Sequence, residues 1–145
     1  MTKIHDVTIE RLDAPLGARV SGLNGKQRLA PELVLALKQA LRDHHILLIE
    51  KQDLTELELK QLGTHFGAVF QNPADVPVLA SADQGGGVAP DVVRVSNVDG
   101  GYTGYGELTA HADHQWTPYP SAGSLLYAIE VPPSGGNTSF YNLNL

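Results

Sequence analysis

Sequence patterns typical of helices occur only in the first half of this chain, and this feature most restricts the folds that the chain can adopt. Pro31 to Asp43 has a proline in its first turn, an acidic residue beside it and basic residues near its end, as helices do. Thr55-Glu56-Leu57-Glu58 has the form of a capping box and predicts a second helix that ends at Gly67. Because strand-like and glycine-rich segments dominate the later part, the sequence predicts an α+β domain.

The predicted strands are short and lie on both sides of these helices. They are Val7 to Ile9, Ala18 to Val20, Ile46 to Ile49, Val92 to Val98, Leu125 to Val131 and Thr138 to Leu143. The run Ile46 to Ile49 is apolar throughout, which is typical of a buried strand. No repeat or linker divides the chain, so residues 1–145 are predicted to form a single domain whose sheet is unfinished at Leu145.

Composition argues against several classes of function. The chain of 145 residues is 42% hydrophobic and 18% charged, as expected for a globular domain. Its net charge of −6 argues against nucleic-acid binding, which needs a basic surface to replace phosphate counterions. Because the chain has no cysteine, any metal must be held by histidine, aspartate or glutamate.

The N-terminal segment predicts a cytoplasmic location. It is polar and lacks the apolar core of a signal peptide. No apolar run in the chain approaches the roughly 20 residues needed to span a bilayer, so no membrane contact is expected.

The segment His111-Ala112-Asp113-His114 is the strongest candidate for a functional site. On an extended strand successive side chains alternate, so His111 and Asp113 would point together while His114 points away. An imidazole and a carboxylate with open coordination positions are part of the ligand set of non-haem Fe(II) oxygenases, in which a second histidine completes the triad. The segment follows a glycine-rich stretch, where functional residues often collect.

Other interpretations of these histidines stay open. Histidine and aspartate often stand two positions apart by chance, and the pair would then be a polar strand end. A hydrolytic zinc site of His111, Asp113 and His114 would need a local bulge to turn the last side chain round. His44 and His45 instead mark the end of the first helix, where an imidazolium suits the helix dipole.

A series of short motifs, in order along nearly the whole chain, resembles the N-terminal half of the TauD/TfdA family of Fe(II)- and 2-oxoglutarate-dependent dioxygenases. The motifs are Pro15-Leu16-Gly17-Ala18, Ser21-Gly22-Leu23, Ala40 to Leu47, Leu54-Thr55, Phe66-Gly67, His111-Ala112-Asp113 and Glu130 to Thr138. The resemblance implies an incomplete double-stranded β-helix, or jelly-roll, with the N-terminal helices packed on the sheet.

The resemblance also implies roles for individual residues. His111 and Asp113 match the first two iron ligands, and Thr138 matches the threonine that helps bind the 2-oxoglutarate carboxylate. The family's distal histidine ligand and cosubstrate-binding arginine lie further downstream. Arg94 and His114, the last residues of their types here, come too early to match them, so the domain is expected to be truncated at its C-terminus.

Substrate contacts are predicted at Asn72, Asn97 and Tyr102. Asn72 stands where taurine dioxygenases have histidine, which argues against taurine as the substrate. Asn97 closes a predicted strand and Tyr102 lies in the glycine-rich stretch that follows, and local packing or turn formation would explain either residue as well.

The implied activity is hydroxylation of a small organic, in some relatives anionic, substrate. Fe(II), 2-oxoglutarate and O₂ would be required, with release of succinate and CO₂. Two alternatives are a non-catalytic interaction domain and one half of a split enzyme. In both, open strand edges would pair with a second copy or with a complementing chain.

Overall fold

The structure, a computed structural model, describes residues 1–69, 92, 95, 109–113, 115, 118 and 120–143. The chain divides into two compact units. One comprises Met1–Gly67 with Tyr127–Leu145, and the other comprises Ala68–Leu126. The predicted strand Val92 to Val98 lies, for the most part, outside the described residues. The prediction of a single domain stays a prediction.

The first unit begins with three antiparallel strands, β1 (Thr2–Ile4), β2 (Val7–Arg11) and β3 (Ala18–Ser21). Side chains alternate across β2 and β3, so that Val7 and Ile9 of β2 and Ala18 and Val20 of β3 enter the core. Ile9 pairs with Val20 in the ladder, and both are buried. The two strands predicted here are confirmed, each slightly longer than its apolar pattern.

A helix, α1 (Pro31–His44), connects β3 to the parallel strand β4 (Leu47–Ile49). Parallel neighbours need such a crossover, because a tight turn can join only antiparallel strands. The inward face of α1 buries Leu33, Leu37 and Ala40. The described sheet therefore has the order β1-β2-β3-β4, and α1 packs against β2, β3 and β4.

Strand β4 is confirmed as a strand, but the prediction that it is buried is wrong. The side chain of Leu48 is 46% exposed, and Leu47 and Ile49 are only partly buried. In the described sheet β4 is an edge strand, hydrogen-bonded only to β3. A continuous apolar run does not distinguish a central strand from an edge strand, which explains the error.

The second helix, α2 (Glu56–Thr64), begins with the predicted capping box. The amide of Glu58 donates to the Thr55 hydroxyl at 3.3 Å, and the Glu58 carboxylate accepts from the Thr55 amide at 2.8 Å. The bond from the Thr55 amide, together with one from the Thr55 hydroxyl to the same carboxylate at 2.9 Å, favours the charged form and lowers the pKa of Glu58. The helix buries Leu62, and it ends at Thr64, three residues before the predicted end.

Together these elements give an α+β unit with a mixed four-stranded sheet and two helices that contribute to its core. The prediction of helices packed on the sheet is therefore confirmed for α1, whereas α2 contributes Leu62 to the same core. Within the described ranges, neither helix is long and apolar enough to cross a membrane.

The prediction of strands at Leu125 to Val131 and Thr138 to Leu143 is wrong for the described residues, which form no strand there. Leu126, Ile129 and Val131 are 71%, 75% and 78% exposed. A strand needs a neighbour to complete its hydrogen-bond ladder, and in the described part of the chain the sheet consists of β1 to β4 and includes neither segment. The jelly-roll therefore stays a prediction.

A polar cluster ties Tyr127 to the loop before α2, within the same unit. The Tyr127 hydroxyl accepts from the Leu54 amide at 3.1 Å and donates to the Gln52 carbonyl at 3.3 Å. The Gln52 side chain accepts from the Gly25 amide and donates to the Leu23 carbonyl, both at 2.9 Å. The Gln52 side chain thus satisfies partly buried backbone groups of Leu23 and Gly25. The Tyr127 hydroxyl does the same for the backbone of Gln52 and Leu54.

His45 is the C-cap of α1, so the prediction that His44 and His45 mark the helix end is confirmed. Its backbone is left-handed, with φ of 65°, and its amide donates to the Leu41 carbonyl at 2.8 Å. Glycine usually occupies this position, because a Cβ disfavours left-handed backbone.

We expect His45→Gly to raise the free energy of unfolding by about 0.5–1 kcal/mol, because it relieves the left-handed strain at an exposed position. Chemical denaturation measures the change. His45→Ala is the control, because it removes the imidazole and keeps the Cβ. Equal stability of the two variants would contradict the backbone explanation.

Candidate metal centre

The structure brings the side chains of His111 and Asp113 together. Nε2 of His111 lies 3.3 Å from Oδ1 of Asp113, and both side chains are about half exposed. The prediction that a strand aligns them is wrong, because residues 111 and 112 lie in no strand and Asp113 lies in a turn. Local backbone geometry, not strand alternation, places both side chains on one side.

The ring of His111 is held by the backbone. Its Nδ1 lies 2.8 Å from the carbonyl oxygen of Thr109. A carbonyl oxygen only accepts hydrogen bonds, so Nδ1 carries the proton and donates it. In the neutral imidazole the lone pair is then on Nε2, which is the atom that faces Asp113.

This arrangement places two electron-pair donors face to face. A neutral Nε2 and a carboxylate oxygen at 3.3 Å repel each other unless a positive charge lies between them. A proton on Nε2 would supply that charge as an ion pair, and a divalent metal ion would supply it as a coordination centre. Within the described residues, the pair thus has one nitrogen and one oxygen donor at a separation that suits either a shared proton or a shared cation.

The separation of the donors fits a shared metal ion. Nitrogen and oxygen ligands each about 2.1 Å from a divalent metal, at right angles, lie about 3.0 Å apart. The observed 3.3 Å is close to this value, so little movement is needed to accommodate the ion. Each of the two side chains also has a second hydrogen-bond partner, as residues that bind metal usually do.

The second contact of Asp113 comes from Ser124. The Ser124 hydroxyl donates to Oδ2 of Asp113 at 2.9 Å, whereas Oδ1 is the oxygen that faces His111. The two carboxylate oxygens therefore have separate partners. No sequence pattern points to Ser124, because a serine eleven positions away has no periodic relation to the pair.

The structure does not bring the remaining predicted site residues to His111 and Asp113 within the part of the chain that it describes. Thr138 lies in an exposed segment of the other compact unit. Asn72, Asn97, Tyr102 and His114 lie outside the described residues. Among the residues that the structure describes, no group of three or more histidine, aspartate or glutamate side chains could hold a metal. The roles of all these residues, and of His111 and Asp113 as ligands, stay predictions.

Two solved structures show similarity to parts of the chain. One is the crystal structure of AAD-2 in complex with Mn(II) and N-oxalylglycine, with 24% identity and a TM-score of 0.40 over 42% of this chain and 24% of that chain. The other protein, from Burkholderia xenovorans, is assigned as an alpha-ketoglutarate-dependent taurine dioxygenase. It shows 20% identity and a TM-score of 0.46 over 54% of this chain and 27% of that chain.

The matched part of this chain thus spans about a quarter of the length of each of these proteins. The comparison with curated proteins gave no match. Residues 8–144 match the family described as taurine catabolism dioxygenase TauD, TfdA family. Because this match extends over nearly all of the sequence, the chain belongs to the TauD/TfdA family.

Proposed function

We propose that this chain carries the metal-binding part of a dioxygenase that uses Fe(II), 2-oxoglutarate and O₂ to hydroxylate a small organic substrate. The observation that carries the proposal is the convergence of Nε2 of His111 and Oδ1 of Asp113, at 3.3 Å, in a chain of the TauD/TfdA family. A nitrogen and an oxygen donor suit iron, and they leave other coordination positions open.

His111 and Asp113 have complementary roles in this proposal. His111 binds the metal through Nε2, because the Thr109 carbonyl holds the proton on Nδ1. Asp113 binds through Oδ1 and offsets one positive charge of the ion. Since the described residues supply only these two donors, we place the third protein ligand outside them.

The cosubstrate defines the chemistry. When bound, Fe(II) would let O₂ oxidise two partners at once, with one oxygen atom entering a substrate C–H bond to give an alcohol and the other entering 2-oxoglutarate, which is cleaved to succinate and CO₂. The part of Thr138 is to donate its exposed hydroxyl to a carboxylate of 2-oxoglutarate. The protein's remaining task is to orient the substrate and exclude other hydrogen donors. We further propose that the complete domain is a jelly-roll.

Anaerobic titration of the chain with Fe(II) and 2-oxoglutarate tests this function. We expect a visible charge-transfer band that requires both additions, because the band arises only when the cosubstrate chelates the iron. His111→Ala and Asp113→Ala should each abolish it, by weakening metal affinity beyond the roughly 10–100-fold expected from loss of an outer partner.

His5→Ala is the matched control, because His5 is also exposed and also lies near a carboxylate, that of Glu32 at 3.3 Å. It should leave the band unchanged. The proposal is wrong if saturating Fe(II) and 2-oxoglutarate give no band, or if the band persists in both site variants. Hydrolysis supported by Zn(II) without 2-oxoglutarate would favour the zinc alternative instead.

A further inference from the structure

Asp113 has an unequal environment at its two carboxylate oxygens. Oδ2 accepts a hydrogen bond from the Ser124 hydroxyl at 2.9 Å, and Oδ1 faces Nε2 of His111 at 3.3 Å. The terminal torsion of an aspartate is broad and roughly two-fold, so without a partner the two oxygens exchange places freely. The Ser124 hydrogen bond removes that equivalence.

The two ring nitrogens of His111 also have different environments. Nδ1 of His111 is hydrogen-bonded to the Thr109 carbonyl and Oδ2 of Asp113 to the Ser124 hydroxyl, whereas Nε2 and Oδ1 take no part in these bonds. The two atoms left over are the two that face each other. Each ligand is thus oriented through the atom that it does not offer to the metal, which is how outer partners tune a metal site.

We propose that Ser124 is a positioning residue that keeps Asp113 a one-oxygen ligand of the metal. This inference rests on the proposed function. By donating to Oδ2, the serine hydroxyl holds the carboxylate with Oδ1 toward Nε2 of His111 and disfavours binding through both oxygens. A carboxylate bound through both oxygens would take a further coordination position, and a chelating cosubstrate and O₂ together need all three that a facial triad leaves.

The connection between the two residues supports a positioning role. Ser124 lies eleven residues after Asp113, so the hydrogen bond joins two separate parts of the chain. The contact is exposed, and an exposed hydrogen bond contributes little to folding. Loss of the hydroxyl should therefore change the metal site while leaving the fold intact.

Mn(II) binding to the 145-residue chain tests this inference, with free Mn(II) measured by its EPR signal. Ser124→Ala should weaken binding by about tenfold, because the carboxylate is then no longer held with Oδ1 toward the metal and must be ordered when the ion binds. Ser124→Thr retains a hydroxyl and should restore binding to within about twofold of the wild type, whereas Ser124→Val, which has the shape of threonine but no hydroxyl, should behave like alanine. The thermal unfolding midpoint without metal should be the same in all of them.

Ser134→Ala is the control for loss of a serine hydroxyl, because Ser134 lies in an exposed turn of the other compact unit. It should bind Mn(II) as the wild type does. If Ser124→Ala and Ser124→Val also bind like the wild type while His111→Ala and Asp113→Ala do not, the positioning role is wrong and the metal site stands. If the wild type does not bind Mn(II), or binds it equally after His111→Ala and Asp113→Ala, the metal site itself is wrong, and the role of Ser124 with it.

Discussion

Gly22→Ala should lower the free energy of unfolding by at least about 3 kcal/mol. Gly22 follows β3 with φ of +81°, in the left-handed region that side chains rarely adopt. A Cβ at this position would collide with the backbone carbonyl oxygen of Asp6 and lie 3.1 Å from its carbonyl carbon. Because the obstacle is backbone of the β1–β2 turn, it cannot move aside without disturbing two paired strands.

Gly67→Ala provides the comparison for this experiment. In the described part of the chain, a Cβ at position 67 would have no atom within 4 Å beyond its own chain neighbours, and the residue is exposed. Its substitution should change stability by less than about 0.5 kcal/mol. Urea denaturation of both variants measures the difference. A Gly22→Ala protein as stable as Gly67→Ala would show that the β1–β2 turn is not packed against residue 22.

The parts of the fold that the sequence predicted well are those decided by neighbouring residues. The Thr55–Glu58 box formed as expected because both of its hydrogen bonds close within three residues. Pro31 begins α1 because its missing amide hydrogen costs nothing in a first turn. In both cases one turn of chain contains all the partners.

The predictions that were wrong depended on distant partners. Whether Leu48 is buried depends on a second neighbour for β4, which the described sheet does not have. The apolar pattern from Leu125 to Val131 reports strand preference, but strand formation also needs a neighbouring ladder. Sequence periodicity contains no information on either partner.

The candidate site contains one contact set by neighbouring residues and one that depends on a distant residue. The spacing of His111 and Asp113 predicted that they meet, and they do, although a turn and not a strand brings them together. Ser124 and its bond to Asp113 were not predictable, because the contact joins segments eleven residues apart. The Gln52 cluster was missed for the same reason, since its side chain reaches a loop 27 residues earlier.

Leu37→Ala should lower the free energy of unfolding by about 3 kcal/mol, within the range observed for leucine truncation in well-packed cores. Leu37 is 1% exposed and belongs to the cluster formed by α1 and the sheet. Removing its side-chain methyl groups loses their burial and leaves a cavity, which neighbours fixed in strands fill only partly.

Leu35→Ala, on the same helix, separates burial from helix propensity. Leu35 is 68% exposed, and the propensity change from leucine to alanine is the same at both positions. We therefore expect Leu35→Ala to alter stability by less than about 0.5 kcal/mol, so the difference between the two variants measures core packing alone. Urea denaturation of both variants decides the matter through the transition midpoint at unchanged slope. Equal loss in the two variants would mean that α1 does not pack on the sheet through Leu37.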